Sequence, residues 1–330
     1  MQIRIIKPGI LSTVQDLGRW NFLPQAVPVS GAMDALAARL ANKVLGNDDN
    51  DAVIEFTYSS ASFKAETDLL IAYSGDGALL KCDNQAIPTD RPVFVPAGNI
   101  VHLTNNPAGC RTYLAIAGGF DVPVVLGSRS TYTTAQLGGL HGRLLQSNDL
   151  LYNTSQLGLT TSKILNSLTG EHLKYPAWSL TSHAFLPSNR KIIRVVPGPE
   201  FTWFNSQSII NFLTTPFTLT SQSNRMGYQL EGPVINRRIH KELLSTAVTP
   251  GTIQVTGSGN PVLLMADCQT TGGYPRIAQV AAVDVPLCGQ LKPGDQIQFE
   301  EISRQKAEML YIEQEQQLQK LTHAIKSKYA

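Results

Sequence analysis

Ile3-Arg-Ile-Ile-Lys-Pro-Gly9 recurs as Ile193-Arg-Val-Val-Pro-Gly198 with one residue deleted, and this echo decides how the 330 residues divide. An apolar run closed by Pro-Gly reads as a strand entering a turn. Leu145-Gln-Ser-Asn-Asp-Leu-Leu151 aligns in the same way with Leu291-Lys-Pro-Gly-Asp-Gln-Ile297. The same start and the same finish bracket two units, 1–155 and 191–303, which suggests a duplication.

Inside both units the texture is strand. Asp68-Leu-Leu-Ile-Ala-Tyr, Arg91-Pro-Val-Phe-Val, Ile100-Val-His-Leu and Pro261-Val-Leu-Leu-Met are short apolar runs punctuated by Gly, Pro, Asn and Asp. Such spacing suits barrels or sandwiches better than a doubly wound sheet. One helix is expected over Ala32–Leu45, where Met33, Leu36, Leu40 and Val44 keep helical spacing and Gly46-Asn47 closes it. Residues 156–190 read as an inter-domain connection with some helix near Thr161–Leu168. Residues 304–330 read as a terminal helix packed on the second unit, with Leu310, Leu318, Leu321 and Ile325 at helical intervals. Ser74-Gly-Asp-Gly-Ala lacks the lysine of a phosphate loop and reads as a hairpin turn.

Composition excludes several classes of function. A formal charge of +2 with 16% charged residues gives no basic stripe for nucleic acid. No apolar run reaches membrane-spanning length and the start lacks a signal-peptide core, so a soluble, cytoplasmic protein is expected. Cys82, Cys110, Cys268 and Cys288 stand singly, and the histidines at 102, 141, 172, 183, 240 and 323 show no ligand spacing, so no metal is expected.

Two segments mix amides, hydroxyls, arginine and tyrosine around glycine: Gln222-Ser-Asn-Arg-Met-Gly-Tyr-Gln-Leu-Glu-Gly-Pro233 and Gln269-Thr-Thr-Gly-Gly-Tyr-Pro-Arg276. Buried polar groups cost free energy unless partnered, so a core strand has no use for this mixture. Arg129, between Ser128 and Ser130, and Arg225, in a turn read as solvent-facing, offer planar forks for a carboxylate or phosphate. Gln15, Asp16 and Arg19 follow the first strand and turn. Asp16 reads either as a local ion pair with Arg19 or as the group that orients it. Ser30 is a natural N-cap with Asp34 in the first helical turn, and Ser30-Gly31 could present a helix amino end to an anion. Tyr228, Gln269, Thr270, Thr271, Gly272, Gly273 and Tyr274 would add hydrogen bonds and a flat face suited to a small planar amide. General bases are scarce: Asp16, Asp34, Glu231 and Asp267 are the candidates nearby in sequence, which suggests a site completed by another polypeptide of a complex.

The chain also resembles a known family through Thr13-Val-Gln-Asp-Leu-Gly-Arg19, Ser30-Gly-Ala-Met-Asp34, Arg39-Leu-Ala-Asn42, Tyr113-Leu-Ala-Ile-Ala-Gly-Gly119, Leu126-Gly-Ser-Arg-Ser-Thr131 and Pro197-Gly-Pro-Glu200, besides the two polar segments. That family includes the C subunit of bacterial ATP-dependent 5-oxoprolinases, one half of the carboxyltransferase domain of urea carboxylase, and the antagonist of a sporulation-kinase inhibitor. The resemblance implies a mainly β chain with two tandem cyclophilin-like β-barrels. It further implies a multi-subunit enzyme that opens 5-oxo-L-proline to L-glutamate while ATP goes to ADP and phosphate. The partners would be a homologous barrel subunit and a lactam-utilisation subunit, with ATP bound by the complex. Arg129, Arg225 and Asp16 would then be catalytic, and the remaining polar residues would bind substrate. A urea carboxylase half or a non-enzymatic regulator shares the same motifs; the chain itself carries no biotin-attachment segment.

Overall fold

The computed structural model describes residues 1–330 apart from 84, 182–184, 187 and 188, so His183 lies outside the described residues. Two compact units form: Met1–Arg19 with Ser30–Phe185 and Gln316–Ala330, and Trp20–Val29 with Leu186–Glu315.

The first unit carries β1 (Gln2–Pro8), β2 (Leu11–Gln15), β3 (Val53–Thr57), β4 (Ala61–Ala65), β5 (Leu69–Ser74), β6 (Ala78–Cys82), β7 (Gln85–Ala86), β8 (Val93–Val95), β9 (Ile100–Asn105), β10 (Arg111–Ile116) and β11 (Leu150–Tyr152). They order as β11-β1-β4-β9-β6-β7 and as β2-β3-β10-β5-β8. Ile3, Ile5, Phe63, Val101 and Leu103 of the first sheet pack with Val14, Ile54, Phe56, Ile71 and Leu114 of the second in one core. The five-stranded sheet is buried on its other face as well. There α1 (Ala35–Leu45) sets Ala37, Ala38, Ala41 and Val44 against Val53, Leu70, Ala72 and Ala115. Small side chains at those positions let helix and sheet approach closely.

Ser74 to Ala78 is not a hairpin. β5 and β6 belong to different sheets, so the turn is a corner between them. Gly77 is required there because a Cβ would lie 2.5 Å from the Arg111 nitrogen. The expected connection also behaves differently from a linker. Its helix α2 (Leu159–Leu168) buries Ile164 and Leu168 in the cluster under α1, and Lys174 exchanges backbone hydrogen bonds with Phe94. The terminal helix α3 (Arg304–Lys328) was expected to pack on the second unit, yet Gln316 onward belongs to the first. Ile325 joins the α1 cluster and Lys43 Nζ donates to Thr322 Oγ1 at 2.8 Å.

The second unit is a closed barrel of β12 (Ile192–Pro197), β13 (Phe217–Leu219), β14 (Gly227–Glu231), β16 (Thr252–Val255), β17 (Pro261–Leu264), β19 (Arg276–Val280) and β20 (Gln296–Glu301). β15 (Thr246–Ala247) and β18 (Thr271–Gly272) form a separate ribbon. The mainly β class read from the sequence is therefore what folds. The duplicated ends match only in part, however. β1 lies beside β11 and β12 beside β20, but the first pairing is antiparallel and the second parallel.

Phe212, on the helix Ser206–Thr214, stacks on Phe299 with ring centroids 4.6 Å apart, and Phe217 tilts against both. All three rings are buried. Phe212→Ala should therefore destabilise the chain by about 3–5 kcal/mol, read as a lower denaturant midpoint with an unchanged slope.

Candidate functional site

The first unit gathers its polar residues around Asp16, 2% exposed at the end of β2. Asp16 Oδ1 accepts hydrogen bonds from Gly18 N at 2.8 Å, Ser128 Oγ at 2.6 Å and Ser130 Oγ, and Oδ2 accepts from Arg129 N at 2.6 Å. Its carbonyl accepts from Ala32 N at 2.9 Å. The carboxylate thus ties the 128–130 loop, and the backbone carbonyl the approach to α1, to the end of β2. With its oxygens so occupied, Asp16 organises the loop and is no longer a candidate for removing a proton from substrate. That corrects the catalytic role expected from its position.

Arg19 is buried and its Nη2 donates to the Ser130 carbonyl, so it braces the same loop instead of facing solvent. Gly138 packs over this contact, where a Cβ would stand 2.1 Å from the Ser130 oxygen and 2.9 Å from Nη2. Gln15 Nε2 donates to Thr13 Oγ1 and to the Thr131 carbonyl, at 2.9 and 3.2 Å. Ser30 holds φ of +55° and Gly31 +86°, and a Cβ on Gly31 would lie 2.9 Å from Gly18 N. A serine in the left-handed region is strained, and such strain concentrates at functional sites.

Ser30 is not the cap of α1. Asp34 is: its Oδ1 accepts from Ala37 N at 2.9 Å. Met33 N donates to Glu55 Oε2 at 2.8 Å, and Asp34 N to Tyr113 Oη at 2.8 Å. Tyr113 in turn donates to Glu55 Oε2 at 2.7 Å. Burial, and then the Glu55 charge, push the Tyr113 phenol well above its usual range, so it stays protonated as that donor. The amino end of α1 is therefore answered by the chain's own oxygens, two carboxylates among them. An anion at Ser30-Gly31, as expected from the sequence, would meet repulsion.

Gln15 Oε1, Ser30 Oγ and Arg129 Nε are among the buried polar atoms of this unit that find no hydrogen-bond partner among the described residues. Each belongs to Asp16's sequence neighbour, to a residue two before Ala32, or to the residue whose amide Asp16 accepts. Their chemistry is one acceptor, one hydroxyl and one donor.

In the second unit the polar segments converge, but differently from expectation. Arg225 does not face solvent. Its Nε and Nη2 donate to Asp267 Oδ2 and Oδ1 at 2.8 and 3.1 Å, with both side chains at most 10% exposed. Asp267 N also donates to the Arg225 carbonyl at 2.9 Å. The guanidinium charge is therefore compensated within the chain. Tyr228 is buried in β14 with Leu230, as a core residue and not a ligand face. Gln269 Nε2 donates to Gln254 Oε1 at 3.4 Å, and Gln254 Nε2 to the Tyr274 carbonyl at 3.2 Å. Thr270 is buried and its carbonyl accepts from Val248 N at 2.9 Å. Thr271 and Gly272 pair with Ala247 and Thr246 in the ribbon. Gly272 leaves 2.5 Å between a would-be Cβ and Gln254 Nε2, so the missing side chain admits that amide. Next to it Gly273 would bring a Cβ within 3.3 Å of the Leu243 carbonyl, and Tyr274 is half exposed. Burial and the neighbouring Asp267 push the Cys268 thiol up to about 12, which leaves it an inert thiol.

Sequence reasoning missed Glu55, Tyr113 and Gln254. Thr13, Glu55, Tyr113 and Ser74 are successive cross-strand partners over β2, β3, β10 and β5. The alternation Val53-Ile-Glu-Phe-Thr57 was the available signal: Ile54 and Phe56 enter the core between the sheets, and Glu55 must then point the other way.

Comparison with known proteins now fixes the family. Residues 25–301 match the model of the carboxyltransferase domain, subdomain A and B. The chain belongs to that family. It is 39% identical to the 5-oxoprolinase C subunit of Escherichia coli, over 96% of this chain and 95% of that protein. It is 35% identical to the corresponding C subunit of Haemophilus influenzae 5-oxoprolinase, over 96% of each. Among solved structures, the Kluyveromyces lactis urea carboxylase superposes with a TM-score of 0.86 at 29% identity, over 97% of this chain and 29% of that one. Members of this family thus serve as separate subunits and as portions of much larger chains.

The buried pair in the second unit gives a stability test. Arg225→Ala leaves Asp267 without its counter-ion and should destabilise the chain by about 3–5 kcal/mol. Joint replacement by Arg225→Met and Asp267→Leu should cost less, measured by chemical denaturation.

Proposed function

We propose that the chain is a subunit of an ATP-dependent 5-oxoprolinase, which opens 5-oxo-L-proline to L-glutamate with conversion of ATP to ADP and phosphate. The observation that carries this reading is the set of buried, unpartnered atoms on Gln15, Ser30 and Arg129. A lactam presents one N–H donor beside one carbonyl acceptor. Gln15 Oε1 suits the N–H, Arg129 Nε suits the carbonyl oxygen, and the Ser30 hydroxyl can serve either. Likeness over nearly the full length to proteins named as 5-oxoprolinase components supports the same substrate.

In this reading Arg129 is the catalytic residue of the chain. Ring opening pushes electron density onto the carbonyl oxygen, so its hydrogen bond to the guanidinium strengthens as the reaction proceeds. Arg225, bound to Asp267, is left out of that role. The chain carries no phosphate-loop motif, so ATP is assigned to the rest of the complex. The partners are a homologous barrel subunit and a lactam-utilisation subunit, and the compartment is the cytoplasm.

Purified alone, the chain should show no 5-oxoproline-dependent release of phosphate, and co-expression with both partners should restore it. Arg129→Ala in the assembled complex should lower kcat/KM about 10²–10³-fold. Full turnover by the single chain, or an unchanged rate for that variant, overturns the reading. Turnover dependent on biotin and urea instead would make the chain part of a urea carboxylase.

A further inference from the structure

Gln254 is only 2% exposed, although its side chain points out of the barrel. Ile253 and Val255 on either side are fully buried and turn inward, so strand alternation sends the Gln254 amide to the outer face of β16. The β15–β18 ribbon covers it there. A Cβ at Gly272 of the ribbon would stand 2.5 Å from Gln254 Nε2.

The amide has one orientation. Its Nε2 donates to the Tyr274 carbonyl at 3.2 Å, and a carbonyl only accepts, so the rotated amide would set oxygen against oxygen. Oε1 therefore points elsewhere, and its partner is Gln269 Nε2 at 3.4 Å, the long end of the hydrogen-bonding range. Gln269 itself is exposed. One Gln254 N–H and one lone pair of Oε1 are left over among the described residues.

A third group stands beside them. Thr246 is the cross-strand partner of Gly272. Opposed residues of an antiparallel pair project to the same face, with Cβ atoms about 5 Å apart. The Thr246 side chain is thus directed to the side on which Gly272 meets the Gln254 amide. Its Oγ1 is buried and has no hydrogen-bond partner among the described residues. A buried hydroxyl next to an amide with spare capacity, and not bonded to it, calls for a ligand or a water.

The surroundings select a neutral ligand. Glu200 accepts from Arg276 Nε and Nη2 at 2.8 Å each and from Arg276 N at 3.0 Å, while Arg276 Nη1 donates to the Ala247 carbonyl at 3.0 Å. This ion pair clamps the ribbon to the start of β19 and leaves no uncompensated charge on Arg276. The group that already rests on Gln254 Oε1 is itself a carboxamide, that of Gln269.

We propose that Thr246 and Gln254 form a binding site for a neutral ligand bearing an amide group, a carboxamide or a lactam. The Gln254 N–H and the Thr246 hydroxyl donate to the ligand carbonyl. Oε1 of Gln254 accepts the ligand N–H in place of the weakly held Gln269, which is the chain's own occupant of that position. The site lies wholly within the second unit and is independent of the role given to Arg129.

The side-chain amide signals of Gln254 and Gln269 are followed by NMR in the full chain as pyrrolidinone is added, and again with butyrolactone, the same ring with oxygen in place of the N–H. Pyrrolidinone should give a saturable shift, and the lactone should bind about ten-fold more weakly for want of one hydrogen bond. Gln269→Ala should tighten pyrrolidinone binding several-fold by removing the internal competitor. Thr246→Val should weaken it about ten-fold while the melting temperature holds or rises, since the lost hydroxyl made no bond within the chain. Absence of a saturable shift leaves the groups to a bound water and overturns the proposal. Equal binding of lactam and lactone, a comparison that needs no variant, overturns it as well.

Discussion

A single buried carboxylate sets the geometry on which the first unit's site depends. Asp16 collects donors from Gly18, Ser128, Arg129 and Ser130, while its backbone holds Ala32. Three stretches distant in sequence are thereby brought to one point, among them the turn in which Ser30 holds its positive φ. A buried charge is costly unless satisfied, and here several short hydrogen bonds satisfy it. Replacement of Asp16 by a side chain without acceptors would release the 128–130 loop, which carries the Ser130 carbonyl that Arg19 braces, while the Ala32 contact, made by the backbone, would stay.

Much of the fold was legible from alternation and punctuation. The strand runs at 69–74, 93–95, 100–105 and 261–264 fall where apolar segments are bounded by turn residues. What misled was pairing. Ser74-Gly-Asp-Gly-Ala has hairpin chemistry but joins two sheets, because whether successive strands pair is decided by the core they must cover. The Ser30 cap failed for a related reason: Ser, Gly and Asp all suit a helix start, and the tertiary partners Glu55 and Tyr113 chose Asp34.

The candidate site was legible as a list of residue types and not as roles. Asp16, Arg19, Arg129 and Arg225 all stand out in turns, yet three of the four are tied down by partners more than 40 residues away in sequence. No local pattern announces that Asp267 answers Arg225. Polarity near glycine therefore picked out residues without their roles, and only the three-dimensional partners separated scaffold from candidate ligand groups.

Closure of the second unit's barrel has a kinetic consequence. Ile192–Val195 completes the ring by lying parallel to Gln298–Glu301, so the seam joins the first strand of that barrel to its last. No partial barrel can close before the final strand has been synthesised. Until then β12 presents a row of unpaired backbone groups on that side, the kind of edge that recruits strands from other chains. Pairing across so long a separation is also slow, because the loop entropy is lost before the contacts form. The interval between emergence of β12 and arrival of β20 is thus when this chain is most exposed to misassembly, and the finished barrel, having no edge, is when that exposure ends.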